Sequence, residues 1–378
     1  MMSGKENSSP RLLVRQGTST HPDAAEAVRQ LAAQIRQPAS GLSLAFFSDA
    51  YDRRELARAL RDQLPGPLIG CTTAGQLSPL GFQLGGISGA TLASEYFQAV
   101  PYLIHPLSAL AEQVERIAAD VQDRLLAAKT PAFGLLLVDG LSAKEEMLSA
   151  CLYRALGDVP LIGGSAGDML HFKETFVYHD GELLQDAAVF TLCLTSLPFS
   201  VFKHQHFTPT ATRLVITEAE PERRLVREIN GQPAAAAYAR LINMPLNQLD
   251  AGVFSRHPLM LRIQDDYFVR SIAGIDSNGG LKFHCAIDKG LVLTIGEGHS
   301  AEASLQAAFA GIREQIGEPA VILGSDCILR RLEMEARGID GSVGRLMSEN
   351  KVVGFSTYGE QFHSLHVNQT FTGVAIAG

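Results

Sequence analysis

The chain repeats itself, and that repeat restricts its fold more than any other feature. Leu42 to Gln76 reads LSLAFFSDAYDRRELARALRDQLPGPLIGCTTAGQ, and Phe133 to Asp168 reads FGLLLVDGLSAKEEMLSACLYRALGDVPLIGGSAGD. Each stretch opens with a short apolar run, breaks at Ser and Asp, continues helically, and ends in Pro-Leu-Ile-Gly followed by a Gly/Ser/Thr turn. Ala320 to Glu360 is a looser third copy: VVGFSTYGE aligns with LIGCTTAGQ, and a loop around Gly338–Gly341 interrupts its helical part. The apolar runs are too continuous to alternate, which is how strands buried on both faces read. Within DRRELARALRDQL, Leu56, Ala59, Leu60 and Leu64 make an apolar helical stripe. Asp52 is placed to cap that helix, with Glu55 three residues on, and Ser142 precedes Glu145 in the same way. Strand–helix–strand connections run right-handed and give neighbouring parallel strands.

The segments between the copies add hairpins. FQLGGISGATLASEYFQAVPYLI predicts two antiparallel strands. HFKETFVYHDGELLQDAAVFTLCL predicts a hairpin turning at Asp180-Gly181. A boundary is expected near residues 196–210, where two prolines accompany a change of pattern. Beyond it the chain reads as a strand, an Asn230-Gly231 turn and an Ala-rich helix. A hairpin about Ser277–Gly280 and a helix over EGHSAEASLQAAFAGIREQIG follow. The fold class is α/β, with mixed α+β sheets built from repeated strand–helix–strand units with hairpins. Two domains are expected, 11–200 and 201–378, after a disordered 1–10.

Composition removes several function classes. Lys+Arg is 32 and Asp+Glu is 40, so the net charge is 32 − 40 = −8, and no Lys/Arg run supplies the basic face that nucleic acid needs. Trp is absent and aromatic residues are 7%, which leaves little for a base-stacking platform. No stretch reaches the ~18 apolar residues of a membrane span, so no membrane insertion is expected. Cys71, Cys151, Cys193, Cys285 and Cys327 show no zinc-type spacing. Their odd number, with no secretory leader in MMSGKENSSPRLLVRQ, fits a reducing cytoplasm.

Three glycine loops are candidate ligand sites. Gly70–Gly75, Gly163–Gly167 and Gly354–Gly359 each follow a buried strand, where open α/β sheets bind ligands. Thr72, Thr73, Ser165, Ser356, Thr357 and Tyr358 offer hydroxyls to a small polar or anionic ligand; the alternative is a tight turn bonded to its own backbone. Near the C-terminus Glu360 could hold an ammonium group, and Asn368 and Thr370 would share a strand face. The alternative there is a hydrogen-bonded turn closing the fold. Arg270, among strand residues, could grip a carboxylate through two hydrogen bonds, or lie on a surface edge. No nucleophile–base–orienter set recurs, so a binding protein rather than an enzyme is expected. The enzymatic alternative rests on Cys71 in its glycine turn, although Gly164 and Phe355 replace it in the other copies.

LIGCTTAG and LIGGSAGD with its Tyr-x-x-Gly hairpin resemble the N-terminal part of FIST domain proteins. EINGQPAAAAYARL, HPL, YFVRSIAGID, VVGFSTYGEQ and HVNQT resemble the C-terminal part. The resemblance runs from about residue 35 to the end. It implies an intracellular bacterial sensor of a small molecule, such as an amino acid, rather than a catalyst. One subfamily, the nitric-oxide-sensing haem proteins (NosP), stands alone and regulates a partner histidine kinase. In that form the chain would bind haem b non-covalently, with Arg270 meeting a propionate and a possible homodimer as assembly. Among His204, His206, His257, His284, His299, His363 and His366, the resemblance singles out His257 in HPL and His366 in HVNQT as axial ligands. Nitric oxide or an amino acid is thus the expected ligand, and a histidine kinase the expected partner.

Overall fold

The computed structural model describes residues 11–378, so the expectation for 1–10 lies outside the described residues. Three copies of one unit make the body. Each contains a strand, a helix, a strand, a helical segment, a strand, a hairpin and a closing strand, over 13–93, 97–195 and 199–377. The parallel pairs expected from the repeat are present: Leu42–Phe47 with Leu68–Thr72, Ala132–Val138 with Leu161–Ser165, and Pro319–Cys327 with Val352–Thr357. The closing strand of each copy lies antiparallel between its first strand and this pair.

Local sequence explains the helices. Asp52 caps Arg53–Gln63, its carboxylate accepting from the Glu55 amide at 2.9 Å. Gly338 ends Ile328–Arg337 in a left-handed conformation, and a second helix, Asp340–Glu349, follows the interruption. The Ser142 cap does not form. The helix Glu145–Leu156 starts after Lys144, and Ser142 Oγ instead donates to the Asp139 carbonyl at 2.7 Å.

The hairpins leave their own copies. Gln76–Ser78/Gly81–Gln83 extends the third copy's sheet, Val177–His179/Glu182–Leu184 the first, and Glu360–Phe362/Leu365–Val367 the second. This cyclic exchange gives three six-stranded sheets. The pairing puts Leu77 opposite Gly354, Tyr178 opposite Gly70 and Gln361 opposite Gly163. Glycine is required at those three positions, because a Cβ would collide with the carbonyl of Gly324, Ala45 or Leu136 on the adjacent strand. The strands Ile87–Ala93 and Phe97–Ile104, expected to pair with each other, instead close the first sheet and edge the second. Sequence alternation identifies a strand but not its partner.

Leu44, Phe46 and Ile69, Leu135, Leu137 and Ile162, and Leu323, Val353 and Phe355 meet in one central core. The helices cover the outer face of each sheet. Between the third copy's first strand, Phe199–His204, and its helix Ala301–Ile316 the chain inserts an eight-stranded antiparallel sheet. Its own core contains Leu214, Val226, Tyr238, Phe254 and Leu293. The Asn230-Gly231 turn, the helix Ala234–Leu241 and the pairing of Ile272–Ile275 with Leu281–Phe283 are as expected. The second copy closes at Thr195 and the third opens with the strand Phe199–His204, so a division at 200/201 falls two residues inside the third copy.

Candidate functional site

The three glycine loops meet and bond to one another. The amides of Ala74, Gly167 and Tyr358 donate to the carbonyls of Ser356, Thr72 and Ser165 at 3.0, 3.0 and 3.1 Å. This ring crosses all three copies. Thr72 Oγ1 accepts from the Phe176 amide at 2.9 Å, and Thr73 Oγ1 bonds within its own turn to Gly75 and Gln76. The loops hold the fold together at this point, as tight turns do. Gly164 fits because a Cβ there would lie 2.6 Å from Thr357 Cγ2. Tyr358 donates to Asp168 and accepts from the Leu170 amide at 2.8 Å. Burial pushes the Asp168 carboxyl up, but the Tyr358 hydroxyl and the Phe172, Lys173 and Glu174 amides outweigh it and hold the group below its usual range.

The hairpin seats are where the copies diverge. At equivalent cross-strand positions the first hairpin pairs Leu77 with Phe82, the second Tyr178 with Leu183, and the third Gln361 with His366. The first two pairs are absorbed by apolar clusters under helices. Gln361 and His366 are buried and polar. Gln361 Nε2 donates to Ser165 Oγ at 2.9 Å and faces His366 Nδ1 at 3.3 Å. Burial pushes the His366 imidazole down to about 4, so it is neutral at physiological pH.

The inserted sheet completes this seat. Arg270 ends the strand Asp266–Arg270, is buried, and donates from Nη1 to the His366 carbonyl at 3.0 Å. Gln369 bridges to Ser271 Oγ at 3.0 Å and to the Ser255 carbonyl at 2.9 Å. Arg224 reaches Glu145 at 3.2 Å and Glu146 at 2.8 Å in the first turn of Glu145–Leu156, and the His284 carbonyl at 2.7 Å. Burial raises Glu145 to about 7, with Arg224 acting against it. Burial also raises Glu146, but His366 in its protonated form at acid pH, the Arg224 guanidinium and the Ala286 amide outweigh it and leave that carboxyl below its ordinary value.

Arg270 Nε, Gln361 Oε1 and both amide atoms of Asn368 are buried here without a hydrogen-bond partner. Native proteins rarely leave such groups unpaired, because each costs about 1–3 kcal/mol. Glu360 is different. Its carboxyl accepts from Thr357 and from Thr370 Oγ1 at 2.6 Å, and burial pushes it up to about 8. It is engaged by these threonines rather than free to hold an ammonium group. Asn368 to Thr370 link two strands instead of sharing one face, and Gln369 is left-handed with φ 50°.

A second polar cluster lies where the inserted sheet leaves the body. Arg330 is fully buried, donates to Asp326 at 2.7 Å and faces His206 Nδ1 at 3.2 Å, while His206 Nε2 meets Glu333 at 3.0 Å. Asp326 Oδ2, Arg330 Nη2, His204 Nε2 and the Ser356 hydroxyl have no partner.

The residues singled out for haem do not form a haem slot. The His366 ring is enclosed by Gly359, Gln361 and Asn368, with polar rather than apolar walls. His257 is half-buried beyond the short helix Ala251–Arg256, and its carbonyl accepts from Tyr238. Cavities of about 420 and 400 Å³ contain neither histidine. Cys71 is buried in the central core, its strand leads to a hairpin rather than a helix, and burial pushes its thiol up, away from the reactive thiolate. Gln361, Glu146 and Arg224 escaped the sequence reading, and Glu145 entered it only as a capping residue. The signal for Gln361 was present: a polar pair where two aligned hairpins carry apolar ones. Nothing local marks Arg224, whose importance arises only when the inserted sheet packs on the second copy.

Two family models match the chain, and they meet inside the inserted sheet. The FIST N domain model matches residues 41–232 and the FIST C domain model matches 234–363. An uncharacterized protein of Methanocaldococcus jannaschii is 26% identical over 221 residues. The match covers 56% of this chain and 42% of that relative, so the chain spans less than half of the relative's length. Two family models in succession cover most of the sequence, and the chain belongs to the FIST family, whose domains are associated with small-ligand sensing in signal transduction.

Proposed function

We propose that this protein senses a small zwitterion of the amino-acid class at the junction of the second copy, the third hairpin and the inserted sheet. One observation carries the reading. The unpartnered buried atoms comprise two donors, Arg270 Nε and Asn368 Nδ2, and two acceptors, Asn368 Oδ1 and Gln361 Oε1. A carboxylate needs donors, an ammonium needs acceptors, and an α-amino acid brings both on one carbon. Arg270 belongs to the inserted sheet and Gln361 to the body, so a ligand held by both favours one arrangement of the two parts. It signals only if a partner distinguishes those arrangements. The family resemblance supports a histidine kinase as that partner.

Thermal unfolding against a panel of amino acids tests the reading. One of them should stabilise the protein by about 2.7 kcal/mol at a hundredfold excess over its Kd, and Asn368→Leu should abolish the effect. A panel without any stabilising member sinks the proposal. A Soret band in protein from haem-fed cells, lost in His366→Ala or His257→Ala, would replace it with haem-dependent nitric-oxide sensing.

A further inference from the structure

The exchanged hairpins end three sheets, and the outer strands are not equally covered. Each outer strand packs on a helix of the copy it joins: Gly81–Gln83 on Asp340–Glu349, Leu365–Val367 on Glu145–Leu156 and Glu182–Leu184 on Arg53–Gln63. The inserted strand Asp266–Arg270 also packs on Leu365–Val367, and the first sheet has no such addition. Its last strand, Glu182–Leu184, pairs on one side with Val177–His179 and on the other with no strand among the described residues. A groove of about 400 Å³ runs between this strand and the helix Arg53–Gln63.

The helix wall of that groove is basic. Arg53, Arg54, Arg58 and Arg61 line it, while Glu55 and Asp62 of the same helix do not. Arg54, Arg58 and Arg61 recur at i, i+4 and i+7 and share a face. Arg53 pairs with Glu174 at 3.2 Å and Arg61 with its neighbour Asp62 at 3.5 Å, both exposed contacts that contribute little. Arg54 and Arg58 have no ion pair among the described residues. This positive wall stands on a chain of net charge −8, so it is a local feature and not a reflection of composition. Leu183 and Leu184 add apolar surface opposite the arginines, and the only acidic lining residue is Glu182.

We propose that an extended acidic segment of a partner protein docks in this groove, adding a strand to Glu182–Leu184 and laying its carboxylates on the arginines. Strand addition draws affinity from backbone hydrogen bonds and specificity from alternate side chains. The spacing agrees: same-face side chains on a strand repeat every ~6.6 Å, and residues four apart on a helix, as Arg54 and Arg58 are, rise by about 6 Å. Guanidinium–carboxylate pairs add directed, two-pronged bonds. A nucleic acid would use the arginines and leave the strand edge free.

The full chain is titrated with a labelled alternating Glu-Val peptide, an alternating Lys-Val peptide and single-stranded oligo-dT. The Glu-Val peptide should bind, weaken with salt, and slow amide hydrogen exchange at residues 182–184. The exposed double substitution Arg54→Glu/Arg58→Glu should weaken binding by at least about tenfold with an unchanged melting temperature. Binding without protection at 182–184 overturns strand addition. Tighter binding of oligo-dT overturns the partner class, and failure of the Glu-Val peptide to bind, or equal binding of the Lys-Val peptide, overturns the docking site.

Discussion

The first and third hairpins lie on their neighbouring sheets in the same way, yet they bury opposite chemistry. Leu77 and Phe82 fill an apolar cluster with Ile322, Met347 and Phe371. Gln361 and His366 occupy the matching place in the second sheet and are met by Arg270, Asn368 and the Arg224–Glu146 pair. A polar seat where an apolar one is architecturally possible brings no gain in stability over it. Threefold repetition makes that exchange visible, because two of the three seats show what the fold does when only packing is required. The loop ring makes the same point in reverse: its backbone bonds are alike in all copies, and among its hydroxyls Ser356 alone lacks a partner.

The comparison can be broken or sharpened by experiment. The largest effect belongs to the apolar seat. Leu77→Ala should lower stability by about 2–5 kcal/mol in urea unfolding, the range for a buried leucine; a loss below about 1 kcal/mol would mean that this hairpin does not hold the third sheet. Next comes a pH effect peculiar to the polar seat. Glu145 and Glu360 lie above the ordinary carboxyl value of 4.5 when folded, at about 7 and about 8. The folded state therefore holds protons that the unfolded chain has released. The contribution of these two groups is full below 4.5 and falls as pH rises towards about 8, by up to about 1.4 kcal/mol per pH unit for each, while His366, held down to about 4, contributes the opposite slope up to 6.5. Glu360→Gln should flatten its share of that slope. A Glu360→Gln protein whose stability keeps the parent's slope between pH 6.5 and 8, above the range in which the buried histidines titrate, would refute the raised value of Glu360. The smallest change is expected from giving the third hairpin the chemistry of the others. Gln361→Leu with His366→Leu should alter ligand-free stability by no more than about 1 kcal/mol, since buried polar groups exchange for apolar ones at little net cost. It should also remove stabilisation by the amino acid found in the thermal panel. Retained ligand stabilisation would show that the polar seat is not the binding site.

The repeated strands, the Asp52 cap, the helix break at Gly338 and the Asp180-Gly181 turn were legible because each depends on residues close in sequence. The sequence also named several members of the candidate site, Arg270, Glu360, Asn368 and His366, but gave them the wrong relations. Glu360 looked free and is engaged by two threonines, whereas Asn368 looked like part of a strand face and is the unpartnered group. Local patterning on its own therefore determined that this chain would make strand–helix–strand units ending in glycine turns, since dihedral preference, capping and apolar periodicity act over a few residues. Only the tertiary structure decided which sheet each hairpin joins, that Arg270 reaches the third hairpin and that Arg224 reaches the helix Glu145–Leu156. Those outcomes depend on which open edge and which buried charge each segment meets, and both are set by residues far away in the chain.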